Sequence, residues 1–471
     1  MNPYDLVVIG SGPAGQRAAV QAAKLGKSVA VIERRHDVGG VCINTGTIPS
    51  KTMREAVLDL SGLRQRALYG DDFRAAKVSV EVLLQRTDEV MRREREVVRA
   101  QLGRNGIELL DGDGFLEGPT RVRVTGTGGT RVLETRFIAI AVGTTPGIPP
   151  GIQVDHAGVL TSDDILSLHQ LPRTLAVVGA GIVGLEYATM FAALGVEVTL
   201  LDMRETLLEM VDREIVEALT NQARELGVTL RLGETVAGIE RSGDQQIVAL
   251  KSGKRFASEM VMVSAGRQGA TQELGLEHAG LVADVRGRLT VNEHYQTTAP
   301  NIYAIGDVIG FPALASTSME QGRMAACHMF GVPTHSVPEL FPYGIFAIPE
   351  IAWVGASEEE LTRRNVPYET GVARYREIAR GQILGDRHGM LKLIVHIETR
   401  HILGVWCLGT QATELVHIGQ AVMALGGTLE YFIDSVFNYP TLAECYKVAA
   451  LDGYNKLRVL GASPVATPAT P

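Results

Sequence analysis

Leu6-Val7-Val8-Ile9 is an unbroken apolar run, the pattern of a parallel strand buried on both faces. The turn Gly10-Ser11-Gly12-Pro13-Ala14-Gly15 follows, and then an alanine-rich stretch, Gln16–Leu25, that reads as a helix stopped by Gly26. A second strand, Ser28–Ile32, ends at Glu33. The same order returns much later: strand Leu175–Val178, turn Gly179-Ala180-Gly181-Ile182-Val183-Gly184, helix Glu186–Leu194, stop at Gly195, strand Val196–Leu201 and a closing Asp202. Between the two, Ser79–Asn105 predicts a long polar-faced helix with Ser79 as its N-cap and Gly106 beyond its end. Thr120–Val124 and Arg131–Phe137 alternate as hairpin strands do. Pro146–Pro150 reads as a crossing between domains. Past residue 340 the pattern changes to antiparallel strands, Leu391–His396 and His401–Cys407, and a helix, Glu414–Leu425. Ser463–Pro471, rich in Pro, Ala and Thr, predicts a frayed tail.

The chain has 471 residues, enough for roughly three domains at about 150 residues each. Lys plus Arg number 45 against 53 Asp plus Glu, a net charge of −8, which argues against nucleic-acid or anionic-membrane binding. The densest basic cluster, Arg92, Arg93, Arg95 and Arg99, alternates with Glu94 and Glu96 and predicts a solvated helix face. Four cysteines without a C-x-x-C pair exclude a disulfide framework and leave no structural zinc set. No apolar run is long enough to span a bilayer and the first residues enter a strand directly, so a cytoplasmic protein without a leader is expected.

Each G-x-G-x-x-G turn stands in full context, with a strand before it, a helix after it and an acid at the end of the next strand. The first glycine makes the turn, the second admits a pyrophosphate to the backbone, and the third lets helix and strand pack. Two such units imply two dinucleotides, the arrangement of a flavoprotein that takes hydride from a nicotinamide. With Ala141-Val142-Gly143-Thr144-Thr145-Pro146, Ser264-Ala265-Gly266-Arg267 and Ile302-Tyr303-Ala304-Ile305-Gly306-Asp307, the chain resembles the two-dinucleotide-domain flavoproteins of the dihydrolipoamide dehydrogenase and glutathione reductase family, from Tyr4 to about Leu457.

That resemblance implies an α/β fold with two Rossmann-like domains and an α+β C-terminal dimerisation domain. The expected boundaries are 1–150 and 271–339 for FAD, 151–270 for NAD(P), and 340–462 for dimerisation, before a tail at 463–471. It assigns Gly10, Gly12, Gly15 and Glu33 to the ADP half of FAD, and Asp307 to the ribityl chain. Cys42, Lys51, Gly114, Gly143, Thr144 and Ala315 also fall at FAD positions. Gly179, Gly181, Ile182, Val183 and Gly184 are assigned to NAD(P), with Glu186, Asp202, Arg204 and Gly266. Lys51 and Glu186 are implied to form an ion pair beside flavin N5, and a cation there stabilises the reduced ring.

The family's reductases carry C-x-x-x-x-C beside the flavin. Here Cys42 is present, but the second position is Thr47. A hydroxyl forms neither a disulfide nor a charge-transfer thiolate, so dithiol exchange has lost its chemistry. The family's catalytic His before Pro is Tyr439, although the following acid remains as Glu444. Thr47, Tyr439 and Glu444 therefore mark a dismantled dithiol device, and Cys42 reads as an inert thiol.

Without a disulfide the electrons have three outlets: a second nicotinamide, a quinone or dye, and oxygen. Exchange between nicotinamides needs no new site. NADPH reduces the cofactor and leaves, and NAD⁺ enters the same pocket and takes the hydride, in reversible ping-pong fashion. Gly46–Lys51, Tyr303–Gly310, His417–Ala421 and Phe437–Thr441 resemble the branch of the family that works this way. An NAD(P)H:quinone or dye reductase and a non-enzymatic redox sensor stay open as alternatives. Asp202 suits a ribose 2′-OH and repels a 2′-phosphate, while Arg204 offers a charge that binds one. The resemblance further implies a homodimer in which Tyr439 and Glu444 approach the other subunit's flavin, and leaves higher assembly open.

Overall fold

The computed structural model describes residues 3–63, 68, 78–334 and 340–459, so the Ser463–Pro471 tail lies outside the described residues. Internal contacts divide the chain into two compact units. The first comprises Met1–Ala56, Ser79–Leu171 and Ser264–Ser336; the second comprises Val57–Val78, Pro172–Val263 and Val337–Pro471.

In the first unit the parallel strands run in the order Glu108–Asp111, Val29–Glu33, Tyr4–Ile9, Gly129–Ile140, and Ile302–Ala304 pairs with the last of these. Leu6 and Val8 enter one core cluster while Val7 and Ile9 enter another, so both faces of this strand are covered, as its unbroken apolar run requires. Gly129–Ile140 serves two sheets. Its first half pairs antiparallel with Arg121–Gly126, which pairs in turn with Asp113–Gly118, and its second half joins the parallel sheet. Helices Pro13–Lys24 and Ala315–Met329 pack so closely that a Cβ on Gly322 would stand under 3.0 Å from the Ala14 carbonyl oxygen.

The predicted long helix is Val80–Arg104, with Ser79 Oγ accepting from the Val82 N–H. Its basic face is only partly solvated. Arg92 pairs with Glu96 in the open, but Arg95 turns inward, donating to Asn44 Oδ1 at 2.8 Å and pairing with Asp37 at 3.0 Å. The passage out of the first unit falls after Leu171 rather than at Pro146–Pro150. Thr144–Pro146 pairs antiparallel with Arg267–Gly269, and the Gly147 N–H donates to Gly266 O, which holds this stretch to the first unit.

In the second unit a parallel sheet runs Thr229–Leu232, Glu197–Asp202, Thr174–Val178, Met260–Val263. Its helix Ile182–Ala193 is almost wholly buried. The C-terminal part is an antiparallel sheet in the order Tyr343–Ile345, Ile351–Gly355, Ile402–Leu408, Met390–His396, Tyr368–Arg374, packed against helices Ala412–Ala424 and Glu444–Val459.

These two parts of the second unit are joined by a charge knot. Lys392, fully buried in the strand Met390–His396, donates to Asp212 at 2.9 Å, lies 3.2 Å from Glu214 and bonds Glu358. Asp212 also caps the helix Arg213–Glu225 by accepting from the Glu214 N–H. The three carboxylates have the spacing of a metal site, and the lysine ammonium fills it. Burial acts to lower the ammonium's pKa, but the hydrogen bonds to Glu358 and Asp212 outweigh it and hold the group above the usual lysine range. Because its folded-state pKa is raised, this contribution is complete through neutral pH and fades only in strong alkali. Lys392→Met leaves the buried Asp212 carboxylate uncompensated beside the half-buried Glu214 and Glu358 and is expected to cost about 3 kcal/mol of stability. Urea unfolding of the FAD-saturated protein checks this, and an unchanged midpoint refutes it.

Candidate functional site

The first glycine turn opens a cleft of about 1160 Å³, counting its mouth, within the first unit. Gly10 adopts φ +106°, which only glycine takes without strain, and its N–H donates to Ile32 O at 2.8 Å. A Cβ on Gly15 would stand under 3.0 Å from Gly10 O, so this glycine is needed for helix Pro13–Lys24 to start against the strand. That helix has Gly12 as its N-cap and no side chain capping it, which leaves its first N–H groups for a ligand. Glu33 is placed by three donors: Ser11 N–H at 3.0 Å, Ser11 Oγ at 2.5 Å and Arg35 N–H at 3.0 Å. Helix Ala315–Met329 also starts at the cleft without a side-chain cap.

Gly10, Gly12, Glu33, Cys42, Thr47, Gly114, Gly143, Thr144, Asp307 and Ala315 all line this cleft. Gly15 lies beneath it as a packing residue. Lys51 stands one helical turn beyond Thr47 on Thr47–Leu60, half-buried, with its Nζ 3.3 Å from Ser50 Oγ. Gly266, expected at the second nucleotide, lies in the first unit, where the next residue, Arg267, donates to Thr144 Oγ1 at 2.8 Å and Thr144 O at 2.9 Å. Uncapped helix starts, close-approach glycines and a ribose-ready carboxylate suit an extended dinucleotide with two phosphates.

Burial pushes the Asp307 carboxyl above the usual range, against the hydrogen bond from Ser318 and the charge of Arg267. Burial likewise pushes up the Cys42 thiol; its hydrogen bond with Thr47 acts the other way, and Asp307 adds to the rise. Thr47 thus sits beside Cys42, where a second thiol would be required for disulfide chemistry.

The second turn repeats the first in detail. Gly179 also has φ +106° and donates to Leu201 O at 2.8 Å. A Cβ on Gly184 would stand under 3.0 Å from Gly179 O. Gly181 is the N-cap of helix Ile182–Ala193, again without a side-chain cap, so Ile182 and Val183 form its open first turn. Asp202 Oδ2 accepts from the Ala180 N–H at 2.7 Å, as Glu33 accepts from Ser11. Arg204 grips the same carboxylate, Nε to Oδ1 at 2.9 Å and Nη2 to Oδ2 at 2.8 Å. Burial acts to raise the Asp202 carboxyl, but the Arg204 hydrogen bonds outweigh it and hold it below the usual carboxylate range. Arg204 is therefore committed to Asp202, a pairing that residue spacing alone did not reveal.

Glu186, on that helix, is buried, and its Oε1 accepts from the Phe346 N–H at 2.8 Å. Tyr439 is exposed, and Glu444 opens helix Glu444–Val459 with Oε2 buried and without a hydrogen-bond partner among the described residues.

Several contributors escaped the sequence reading. Ser11, between two motif glycines, had a visible position but no assigned role. Asn44, oriented by Arg95, ties Val38 O and Gly40 O at 3.1 and 2.9 Å and so shapes the cleft floor. Lys392 carried a signal, a lone cation inside the apolar run Met390–Val395.

Among the described residues no helix is long and apolar enough to cross a membrane. Residues 4–322 match the model of the pyridine nucleotide-disulphide oxidoreductases, and 341–450 match that family's dimerisation domain. The chain is similar to a Mycobacterium bovis protein named soluble pyridine nucleotide transhydrogenase, 54% identical over 463 residues, covering 98% of this chain and 99% of that one. A protein of that name from Erwinia tasmaniensis is 43% identical over 459 residues, covering 96% and 98%. The Cu(II) complex of the HOCl-induced flavoprotein disulfide reductase RclA from Escherichia coli has a TM-score of 0.87 at 29% identity, covering 96% of this chain and 99% of that one. LpdA from Mycobacterium tuberculosis gives 0.87 at 28%, covering 95% and 99%.

The raised Cys42 pKa predicts slow alkylation of the holoprotein by iodoacetamide at pH 7, accelerating only above the ordinary thiol range of about 8–9. Peptide mass spectrometry follows it, and rapid labelling of Cys42 at pH 6 contradicts it.

Proposed function

The chain belongs to the pyridine nucleotide-disulphide oxidoreductase family, and we propose that within it the protein is an FAD-dependent pyridine nucleotide transhydrogenase, exchanging hydride between NADPH and NAD⁺ in either direction. The observation that carries this reading is Thr47 beside Cys42 in the FAD cleft. No dithiol stands there to receive electrons, and of the remaining outlets a second nicotinamide needs no site beyond the one that delivers the hydride. The names of the two relatives support the same conclusion.

Bound FAD supplies the chemistry, accepting a hydride from one reduced nicotinamide and yielding it to another, oxidised one. The residues around it bind and orient. Ser11 and the Arg35 N–H hold Glu33 ready for a ribose, and the uncapped start of Pro13–Lys24 offers N–H groups to the pyrophosphate. We assign Asp307 to the ribityl chain, and Gly114, Gly143, Thr144 and Ala315 to backbone contacts along the cofactor. The second turn, Gly179 to Gly184, takes NAD(H) and NADP(H) in turn. We assign Lys51 to fixed positive charge beside the flavin, and Glu186 to orienting the nicotinamide. We assign Tyr439 and Glu444, which occupy the sequence positions of the family's dithiol acid–base pair, to the approach to the other subunit's flavin. The transfer we propose is Si-specific and runs ping-pong through a single nicotinamide site.

The dimerisation domain supports a homodimer. We place the enzyme in the cytoplasm, where both nucleotide pools are found and exchange between them balances their reduction, and leave room for assemblies larger than the dimer. The proposed division assigns FAD to the first unit, NAD(P) to Pro172–Val263 and subunit pairing to the C-terminal sheet and its helices.

The test is an anaerobic assay of the yellow protein with NADPH and a spectrally distinct NAD⁺ analogue, run beside lipoamide and benzoquinone arms. Rapid exchange without lipoamide reduction is expected. Fast benzoquinone turnover with negligible exchange moves the assignment to a quinone reductase, and lipoamide reduction overturns the role given to Thr47. A second expectation concerns the adenosine 2′ position. Asp202→Ala removes the repelling carboxylate and frees Arg204, so kcat/KM for NADPH relative to NADH is expected to rise on the order of tenfold, the worth of one charge-assisted hydrogen bond. An unchanged ratio rejects it.

A further inference from the structure

Glu186 is held by a segment more than 150 residues away in sequence. The segment follows the strand Tyr343–Ile345, whose register is fixed by pairing with Ile351–Gly355. It reaches the helix Ile182–Ala193 through two backbone donors two residues apart. The Phe346 N–H donates to Glu186 Oε1 at 2.8 Å, and the Ile348 N–H donates to Thr189 Oγ1 at 3.0 Å. Glu186 and Thr189 are three residues apart on one helix and so share a face, which lets one segment grip both. Thr189 is fully buried, Glu186 is 3% exposed and Ile348 6%. The Thr189 hydroxyl is itself fixed, lying 3.0 Å from both Leu185 O and Glu186 O, to which it donates.

From this arrangement we propose that Thr189 is a positioning residue for hydride transfer, acting through the Phe346–Ile348 segment to hold the Glu186 carboxylate in place. The inference rests on the role given above to Glu186. Thr189 is too deep to meet a substrate, so its effect must pass through the backbone it grips. Removing its hydroxyl leaves the buried Ile348 N–H without that acceptor, a penalty the segment relieves by shifting. The shift carries the Phe346 N–H away from Glu186 and loosens the carboxylate. A carboxylate that wanders orients the nicotinamide less well while leaving its adenosine anchorage at Asp202 untouched. The expected signature is a slower chemical step with little change in nucleotide affinity.

The test is anaerobic stopped-flow reduction of the enzyme's own FAD by NADPH, with rate and apparent Kd measured separately. Thr189→Val, which keeps the shape and removes the hydroxyl, is expected to slow reduction on the order of tenfold with nearly unchanged Kd. Thr189→Ser, which keeps the hydroxyl, is expected to restore the rate. In a Glu186→Gln background the valine substitution is expected to add little further slowing, since residues acting in one chain of contacts are not additive. Fully additive slowing, or a valine protein as fast as the parent while Glu186→Gln is slow, overturns the inference and leaves the role of Glu186 standing. A Glu186→Gln protein that reduces at the parent rate overturns both. Should the valine protein lose FAD, Thr189→Ala is held to the same comparison with Thr189→Ser.

Discussion

The structure depends on how closely a helix start can approach a strand end. At both glycine turns the third glycine lies against the carbonyl of the first, and any Cβ there would stand under 3.0 Å from that oxygen. With glycine in place the helix begins directly above the strand, its first N–H groups have no side-chain cap, and the acid of the neighbouring strand reaches across to the N–H between the first two glycines. One steric condition therefore sets the uncapped helix N–H groups and the carboxylate of the next strand together, and it is met twice in the chain with the same φ of +106° at the first glycine.

The two copies diverge in what surrounds the acid. Glu33 is held by the Ser11 hydroxyl and by the N–H groups of Ser11 and Arg35. Asp202 is gripped through both oxygens by Arg204, so the second site presents a charge-compensated pair. Under the proposed function, the pair leaves Asp202 to meet a ribose hydroxyl while Arg204 tempers its repulsion of a 2′-phosphate.

Around these sites, buried polar side chains fix distant segments. Arg95 orients Asn44, and Asn44 ties the loop under the FAD cleft. Lys392 draws Asp212, Glu214 and Glu358 together and so fastens the second parallel sheet's helix to the C-terminal sheet. Thr189 and Glu186 receive the N–H groups of Ile348 and Phe346 between the same two parts. In each case a buried polar group is satisfied only in one arrangement, which makes the arrangement specific as well as stable. Against that rigidity the position beside Cys42 stands apart: Thr47 offers a hydroxyl where a disulfide would need a second thiol, and burial pushes the Cys42 pKa up.

The sequence by itself determined both dinucleotide turns, because strand burial, glycine sterics and the closing acid are local properties written within about 25–30 residues. It also determined the loss of the disulfide, since Thr47 and Tyr439 are identities and need no coordinates. The long helix with its Ser79 cap and the antiparallel C-terminal strands were legible for the same local reasons. Only the tertiary structure decided that Arg95 turns inward while its neighbour Arg92 pairs in solvent, that Arg204 is already committed to Asp202, and that Lys392 fills a carboxylate cluster resembling a metal site. The same holds for the grip of Phe346 on Glu186 and for the placing of 144–171 with the first unit. Apart from the Arg204–Asp202 pair, whose members are two residues apart at the end of one strand, each depends on groups far apart in the chain, whose meeting is set by strand order and helix packing, and no local pattern of residues encodes that distance.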